Sequence, residues 1–256
     1  MKFTTLIEDH SQTGFEHEHG LSFWIEMDGK NYLLDSGMTS LFMENAKRLH
    51  LDISHPHHCI LSHGHNDHGG GFKEYVQKYP NSKIWMKEEA LIPHWSTSHN
   101  HLHDISIDPS LRKHSQFFKK IEKLEENVYL FSDSPIVIKN SNLYKKINDQ
   151  LIPDDFDHEC SLVFKTEKGL VIFNSCSHTR LKNIIDPIQK YFKQPIYAYI
   201  GGLHLKDMQL DGEDYANLTK YIQENIKILY TGHCTGEEAC LQLPVHRLQI
   251  GKTISL

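Results

Sequence analysis

Residues 61–71 read "LSHGHNDHGGG": three histidines and an aspartate fall within six residues, and three glycines follow. Imidazole and carboxylate are ligands for zinc, and equally for iron or manganese. On extended chain alternate residues point to one side, so His63 and His65 can share one ion. A tight turn brings Asp67 and His68 around a second. The glycines at 69–71 let backbone approach closely and open the next helix with no side chain over the site. The competing reading is a histidine-rich surface turn that binds nothing. The H-x-H-x-D-H spacing directly after an apolar strand argues against it. A metal pair, or one open metal, lowers the pKa of water from about 16 to about 7 and polarises a carbonyl or phosphoryl oxygen. No G-x-S-x-G elbow, P-loop or Rossmann glycine fingerprint competes with it. Metal-dependent hydrolysis is the default chemistry.

The elements that must hold these residues can be read on either side. "FTTLIED" (3–9) is a first strand, and "GLSFWIEMDGKNYLLDSG" (20–37) is a hairpin turning at Asp28-Gly29. Residues 39–51 have helical spacing after a Thr/Ser cap. "HHCILS" (57–62) is a short strand running into the cluster, 70–79 a helix and 83–88 a strand. Residues 92–118 are rich in His, Ser, Asp and Pro, so 92–155 is expected to contain an insertion or lid. Within it, 127–132 and 135–140 are strand-like. "CSLVFKTEKGLVIFNSCSH" (160–178) holds two β-rich runs about "EKG". Then come a helix near 180–193, a strand in "PIYAYIGGLHL" (195–205), a helix over 212–224 and "IKILYTGHCTG" (226–236). No repeat or linker divides the chain, so one domain over 1–256 is expected.

Composition narrows the function. The formal charge of −6, with no basic stretch, argues against nucleic acid as a partner and favours a small molecule. No apolar run approaches the roughly 20 residues needed to cross a bilayer, and "MKFTTLIEDHSQ" has no signal-peptide pattern. Five cysteines without CxxC spacing suit reduced thiols, so a soluble cytoplasmic protein without membrane association is expected. Nothing in the sequence fixes its oligomeric state. Histidine is the outlier at 20 of 256 residues. Any single histidine of 94–104 reads as a solvated loop residue.

"LSHGHNDHGGG", preceded by "NYLLDSG" and a helix, resembles the metallo-β-lactamase fold superfamily. That resemblance implies an α/β fold, a four-layered αββα sandwich of two mixed β-sheets with a metal site at one edge. Asp35 becomes an acceptor beneath the site rather than a ligand. "GLVIFNSCSHTRLKNI" (169–184), "IGGLHL" (200–205) and "YTGHCTG" (230–236) resemble one subgroup, the 7,8-dihydropterin-6-methyl-4-(β-D-ribofuranosyl)-aminobenzene-5′-phosphate synthases and their bacterial relatives. The resemblance implies two divalent ions, zinc first, with iron or manganese possible. His63, His65 and a later histidine serve the first; Asp67, His68 and His233 serve the second. Asp67 is also expected to be catalytic.

The later histidine is His178 of the C-S-H motif, with His158 as its rival. Ser175-Cys176 stands where relatives bridge the metals with an aspartate, so the bridge looks absent. Cys176 is either a thiolate ligand or a buried, inert cysteine. His204 is read on the substrate side, donating a proton or binding an anionic group, with a satisfied core histidine as the alternative. Three functions follow. The first is a metal-dependent hydrolase of a small anionic, phosphate-containing molecule. The second is a transferase joining a pterin methyl diphosphate to an aminobenzene ribofuranosyl phosphate. The third is a non-catalytic metal-binding or sensing protein.

Overall fold

The structure, a computed structural model, describes residues 1–135, 142–206 and 208–256. The strand expected at 135–140 lies outside them but for Pro135. The chain divides into two compact units. Among the described residues the first comprises 1–119, 142–159 and 249–256, and the second 120–135, 160–206 and 208–248.

In the first unit a seven-stranded sheet runs in the order Thr253–Ser255, Lys2–Ile7, Ser22–Met27, Lys30–Leu34, His58–Ile60, Ile84–Met86, Ser115–Phe117. Its first half is antiparallel. From Lys30–Leu34 onward the neighbours are parallel. The hairpin pairs Met27 with Lys30, and Asp28 (φ 52°) and Gly29 (φ 75°) supply the left-handed turn that matches strand twist. Parallel strands need crossovers, and helices Leu41–Arg48 and Phe72–Lys78 lie in two of them. Phe42, Ala46, Phe72 and Tyr75 of these helices pack against Leu33, Cys59, Leu61 and Ile84. Phe3, Phe23 and Ile25, on the other side of the strands, are buried as well.

The second unit repeats the pattern. Its sheet runs His246–Arg247, Ile226–Thr231, Ile196–Ile200, Gly169–Phe173, Ser161–Thr166, Val128–Phe131, Ile121–Glu125, parallel up to Gly169–Phe173 and antiparallel beyond. Helix Leu181–Phe192 buries Leu181, Ile184, Ile185 and Ile188, one stripe at helical spacing, and helix Glu213–Asn225 buries Tyr215 and Ile222.

The illegible middle is shared out. Ser115–Phe117 edges the first unit's large sheet, and Ile121–Glu125 with Val128–Phe131 edges the second's. Gln150–Pro153, Leu143–Ile147, His94–Ser96 and His103–Asp104 form a separate four-stranded sheet in the first unit.

Candidate metal centre

The histidine motif leaves the carboxyl end of parallel strand His58–Ile60, and Asp35 leaves the end of its neighbour Lys30–Leu34. The ends of parallel strands are where open α/β sheets place their ligands. Asp35 is fully buried, with φ 58°. Its Oδ1 accepts the Ser62 backbone N–H at 2.7 Å; its Oδ2 accepts the Ser62 hydroxyl at 2.7 Å and His68 Nδ1–H at 2.9 Å. A carboxylate only accepts, so the His68 proton sits on Nδ1 and Nε2 is the ligating nitrogen. The Ser62 hydroxyl spends its one proton on Asp35. It must therefore accept from His63 Nδ1, 2.8 Å away, which makes Nε2 the ligating nitrogen there too. One aspartate thus sets the tautomers of two histidines, as acceptors behind metal ligands do.

The rings of His63 and His68 have centroids 4.2 Å apart, and those of His63 and His65 4.7 Å. All three histidines are buried. His63 and His65 lie on non-helical chain, whereas Asp67 and His68 sit in the single helical turn Asn66–Gly69. Asp67 Oδ2 lies 3.5 Å from His68 Nε2 and 3.5 Å from Nε2 of His19, a residue that sequence reasoning passed over. His19 is in turn held by Asp9 at 2.9 Å. The expectation for the glycines is met most sharply at Gly71, where an added Cβ would overlap the carbonyl oxygen of Thr39.

Sequence reasoning also missed His94 and Asp154. His94 is fully buried, not solvated. Its Nδ1 donates to Asp154 Oδ2 at 2.9 Å, and His158 Nε2 lies 3.3 Å from the same oxygen. The backbone N–H of Gly64, between the motif histidines, donates to His158 Nδ1 at 2.9 Å. Burial lowers the pKa of His65, and pushes that of His158 down to about 3. Burial opposes the charge on Asp154, but His158, His65 and His94 together hold its pKa well below the carboxylate range. His158 carried a local signal, its place before the "SLVF" strand. His94 carried none that separates it from His99, His101 and His103.

The other sequence-assigned residues belong to the second unit, again past the ends of parallel strands: His178 after Gly169–Phe173, His204 after Ile196–Ile200, His233 after Ile226–Thr231. The rings of His178 and His204 lie 4.4 Å apart. Cys176, His204 and Cys234 bring ligand-type atoms within 4.8 Å of one another, and the Cys234 thiol lies 3.6 Å from the Cys176 carbonyl oxygen. Burial opposes a thiolate at Cys234, but Cys176, His204 and His233 hold its pKa below the ordinary thiol value. Ser177 (φ 48°), Arg180 (φ 78°), His204 (φ 51°) and His233 (φ 48°) all sit in left-handed conformations unusual for non-glycine residues. Such strain concentrates at functional sites.

Buried imidazoles with their tautomers fixed from behind, beside carboxylates, are a donor set that fits divalent metal. The comparisons agree. The metallo-β-lactamase superfamily model matches residues 17–133. A 7,8-dihydropterin-6-methyl-4-(β-D-ribofuranosyl)-aminobenzene-5′-phosphate synthase of Methanocaldococcus jannaschii is 31% identical, over 93% of this chain and 89% of its own. A solved structure described as a metal-dependent hydrolase of the β-lactamase superfamily superposes with a TM-score of 0.85 at 26% identity, over 100% of this chain and 99% of the other. A diphosphatase of the PhnP family shares the fold, with a TM-score of 0.55 at 14% identity over 99% of this chain and 96% of its own. The mixed sheets and histidine motif define the class, and the chain belongs to the metallo-β-lactamase superfamily.

Proposed function

We propose that the protein is a metal-dependent hydrolase of a small phosphate-containing anion, working with two divalent ions, zinc in the first instance. The observation that supports this most is Asp35, which at His68 directly and at His63 through Ser62 leaves Nε2 as the ligating nitrogen of two buried imidazoles. An ion bound there supplies a Lewis acid for a phosphoryl or carbonyl oxygen. His63, His65, Asp67 and His68 are its first-unit ligands in this reading, and His178 and His233 are added on the sequence resemblance. Asp67, partly exposed beside His68, is suited to take or hold a proton at Oδ2. His204, whose Nδ1 is buried without a hydrogen-bond partner, is the residue to meet an anionic oxygen of the substrate or give it a proton.

The 31% identity to the dihydropterin-related synthase favours a second reading, transfer with departure of diphosphate. One experiment separates the readings. The protein is loaded with zinc or manganese and offered phosphomonoesters, phosphodiesters, cyclic nucleotides and a pterin methyl diphosphate. The last is tested with and without an aminobenzene ribofuranosyl phosphate. Phosphate release or ester cleavage without the acceptor supports hydrolysis. Diphosphate release only with the acceptor supports transfer. A metal-loaded protein inert to the whole panel points to binding or sensing.

A further inference from the structure

Arg180 stands in a backbone conformation that suits glycine. It lies between strand Gly169–Phe173 and helix Leu181–Phe192, two residues past His178, with φ 78° and ψ 140°. A residue with a Cβ holds such a conformation only when its surroundings impose it. Here they do. Asn174 Oδ1 accepts the Ser177 backbone N–H at 2.7 Å. The Ser177 hydroxyl donates to the Gly202 carbonyl oxygen at 2.6 Å and so accepts from the Tyr199 hydroxyl at 2.7 Å. Gly202 N–H donates to the Ser175 carbonyl oxygen at 2.8 Å, and Arg180 N–H closes the turn on the Ser177 carbonyl oxygen at 2.9 Å. Glycine would fit a turn so fixed with less strain, so the turn does not account for the arginine.

Nor does an ion pair. The residue is half-buried, yet among the described residues its guanidinium makes no hydrogen bond and no ion pair. Asp214, in the first turn of helix Glu213–Asn225, acts on it electrostatically without pairing. The chain's other three arginines are all engaged. Arg48 donates to the Gly14 carbonyl oxygen and lies over the Phe15 ring, Arg112 pairs with Glu88, and Arg247 grips Glu237 with both ends of its fork. A guanidinium stays charged and carries five N–H donors in a plane. Donors drawn partly out of water and left unmet are costly. Nothing in the fold meets those of Arg180.

The neighbours indicate what does. The ring of His178 lies 4.4 Å from that of His204, whose Nδ1 is buried without a hydrogen-bond partner. Imidazoles and a guanidinium thus gather past the carboxyl ends of parallel strands, an arrangement that favours an anion. The arginine fork takes two oxygens of one group side by side. A carboxylate then has no oxygen left, whereas a phosphate monoester keeps a third for His204.

We infer that Arg180 is a substrate-recognition residue, its fork binding two oxygens of a phosphate group while His204 takes a third. The inference rests on the reading above of a phosphate-containing substrate and deepens it, since it gives the phosphate a protein partner besides any metal. Strain at position 180 is then stability given up for specificity.

The test uses inorganic phosphate, with acetate as the carboxylate control. Both are titrated calorimetrically into zinc-loaded wild type, Arg180→Gly and Arg180→Lys, and zinc per chain and melting temperature are measured for each. The expected result is phosphate bound about 10- to 100-fold more weakly by Arg180→Gly, the loss of a charge-assisted pair of hydrogen bonds. Arg180→Lys, which keeps the charge without the fork, lies between. Zinc content is unchanged, and Arg180→Gly melts at or above the wild-type temperature because glycine relieves the backbone. Unchanged phosphate affinity in Arg180→Gly overturns the inference. So does a fall in its melting temperature, which assigns the arginine to the fold, or an equal loss of acetate binding, which assigns it to carboxylates. The failures are distinguishable. A wild type that cleaves a phosphoester while Arg180→Gly binds phosphate as tightly removes this inference and leaves the hydrolase. A chain inert to every substrate, whose phosphate affinity still falls in Arg180→Gly, removes the hydrolysis and leaves the phosphate site.

Discussion

At the scale of the residue, Asp35 does the most without touching a ligand position. It fixes the proton of His68 directly and that of His63 through Ser62. Asp35→Asn keeps the volume but puts an amide N–H where an acceptor is needed, so the tautomers are no longer fixed. Metal affinity should fall about 10- to 100-fold with the fold retained, read by zinc titration against a competing chelator. Wild-type affinity in the variant would remove Asp35 from the account. Asp67→Ala is a different lesion. In the proposed reading it strips one ion selectively and lowers activity about a hundredfold or more. Elemental analysis beside a rate measurement checks this, and full activity after the replacement would sink the assigned role. The contiguous residues were legible because His63, His65, Asp67 and His68 lie within one short stretch. His94 and Asp154 were not, because nothing in their local sequence marks either as buried, and only the fold brings them together.

At the scale of the element, hairpins and amphipathic helices announce themselves by period and turn chemistry. Asp28-Gly29 and the stripe Leu181, Ile184, Ile185, Ile188 did so. Short strands such as His94–Ser96 span too few residues to show alternation. Their place depends on pairing with Leu143–Ile147, far along the chain. The chain between them is anchored by Asp108, which caps the 3-10 helix Pro109–His114 by accepting Ser110 N–H at 2.8 Å and pairs with Lys73 at 2.9 Å. The Ser110 hydrogen bond, with Lys73, lowers the Asp108 pKa from 3.8 to about 2. A carboxylate depressed in the folded state stabilises above its unfolded pKa, and that contribution is lost as pH falls through the folded value. Asp108→Ala should cost about 1 kcal/mol at pH 6, mostly the cap, since the exposed ion pair is screened. The gap between variant and wild type should narrow as pH falls from 4 towards 2. Urea unfolding of both metal-free proteins at pH 6 and at pH 3 checks this; a gap just as wide at pH 3 would refute it.

At the scale of the whole molecule, the sequence motif and the mixed α/β fold agree because the superfamily's histidine motif needs a parallel strand to leave from and a glycine-lined turn to enter the next helix. Residues 58–72 encode both in one run. The left-handed backbone at His204 and His233 left no trace in composition, since it is imposed by the chain on either side. What joins these levels energetically is the metal. Imidazoles and carboxylates gathered without an ion repay little of the cost of burying them, and an ion that binds only the folded chain stabilises it by mass action. At about a thousand times its dissociation constant that term is about 4 kcal/mol. For a chain of this length each kcal/mol shifts the melting temperature by about 2–4 °C. Removing the ions with a chelator, confirmed by elemental analysis, should therefore lower the melting temperature by about 8–16 °C, and adding zinc back should restore it. Hydrogen exchange should speed up at 35–36, 62–69, 94–96 and 154–158, while the amides of helix Leu181–Phe192 hold. A melting temperature that stays put after verified metal loss would mean that the histidine cluster is stable without its ion, and that the metal serves chemistry alone.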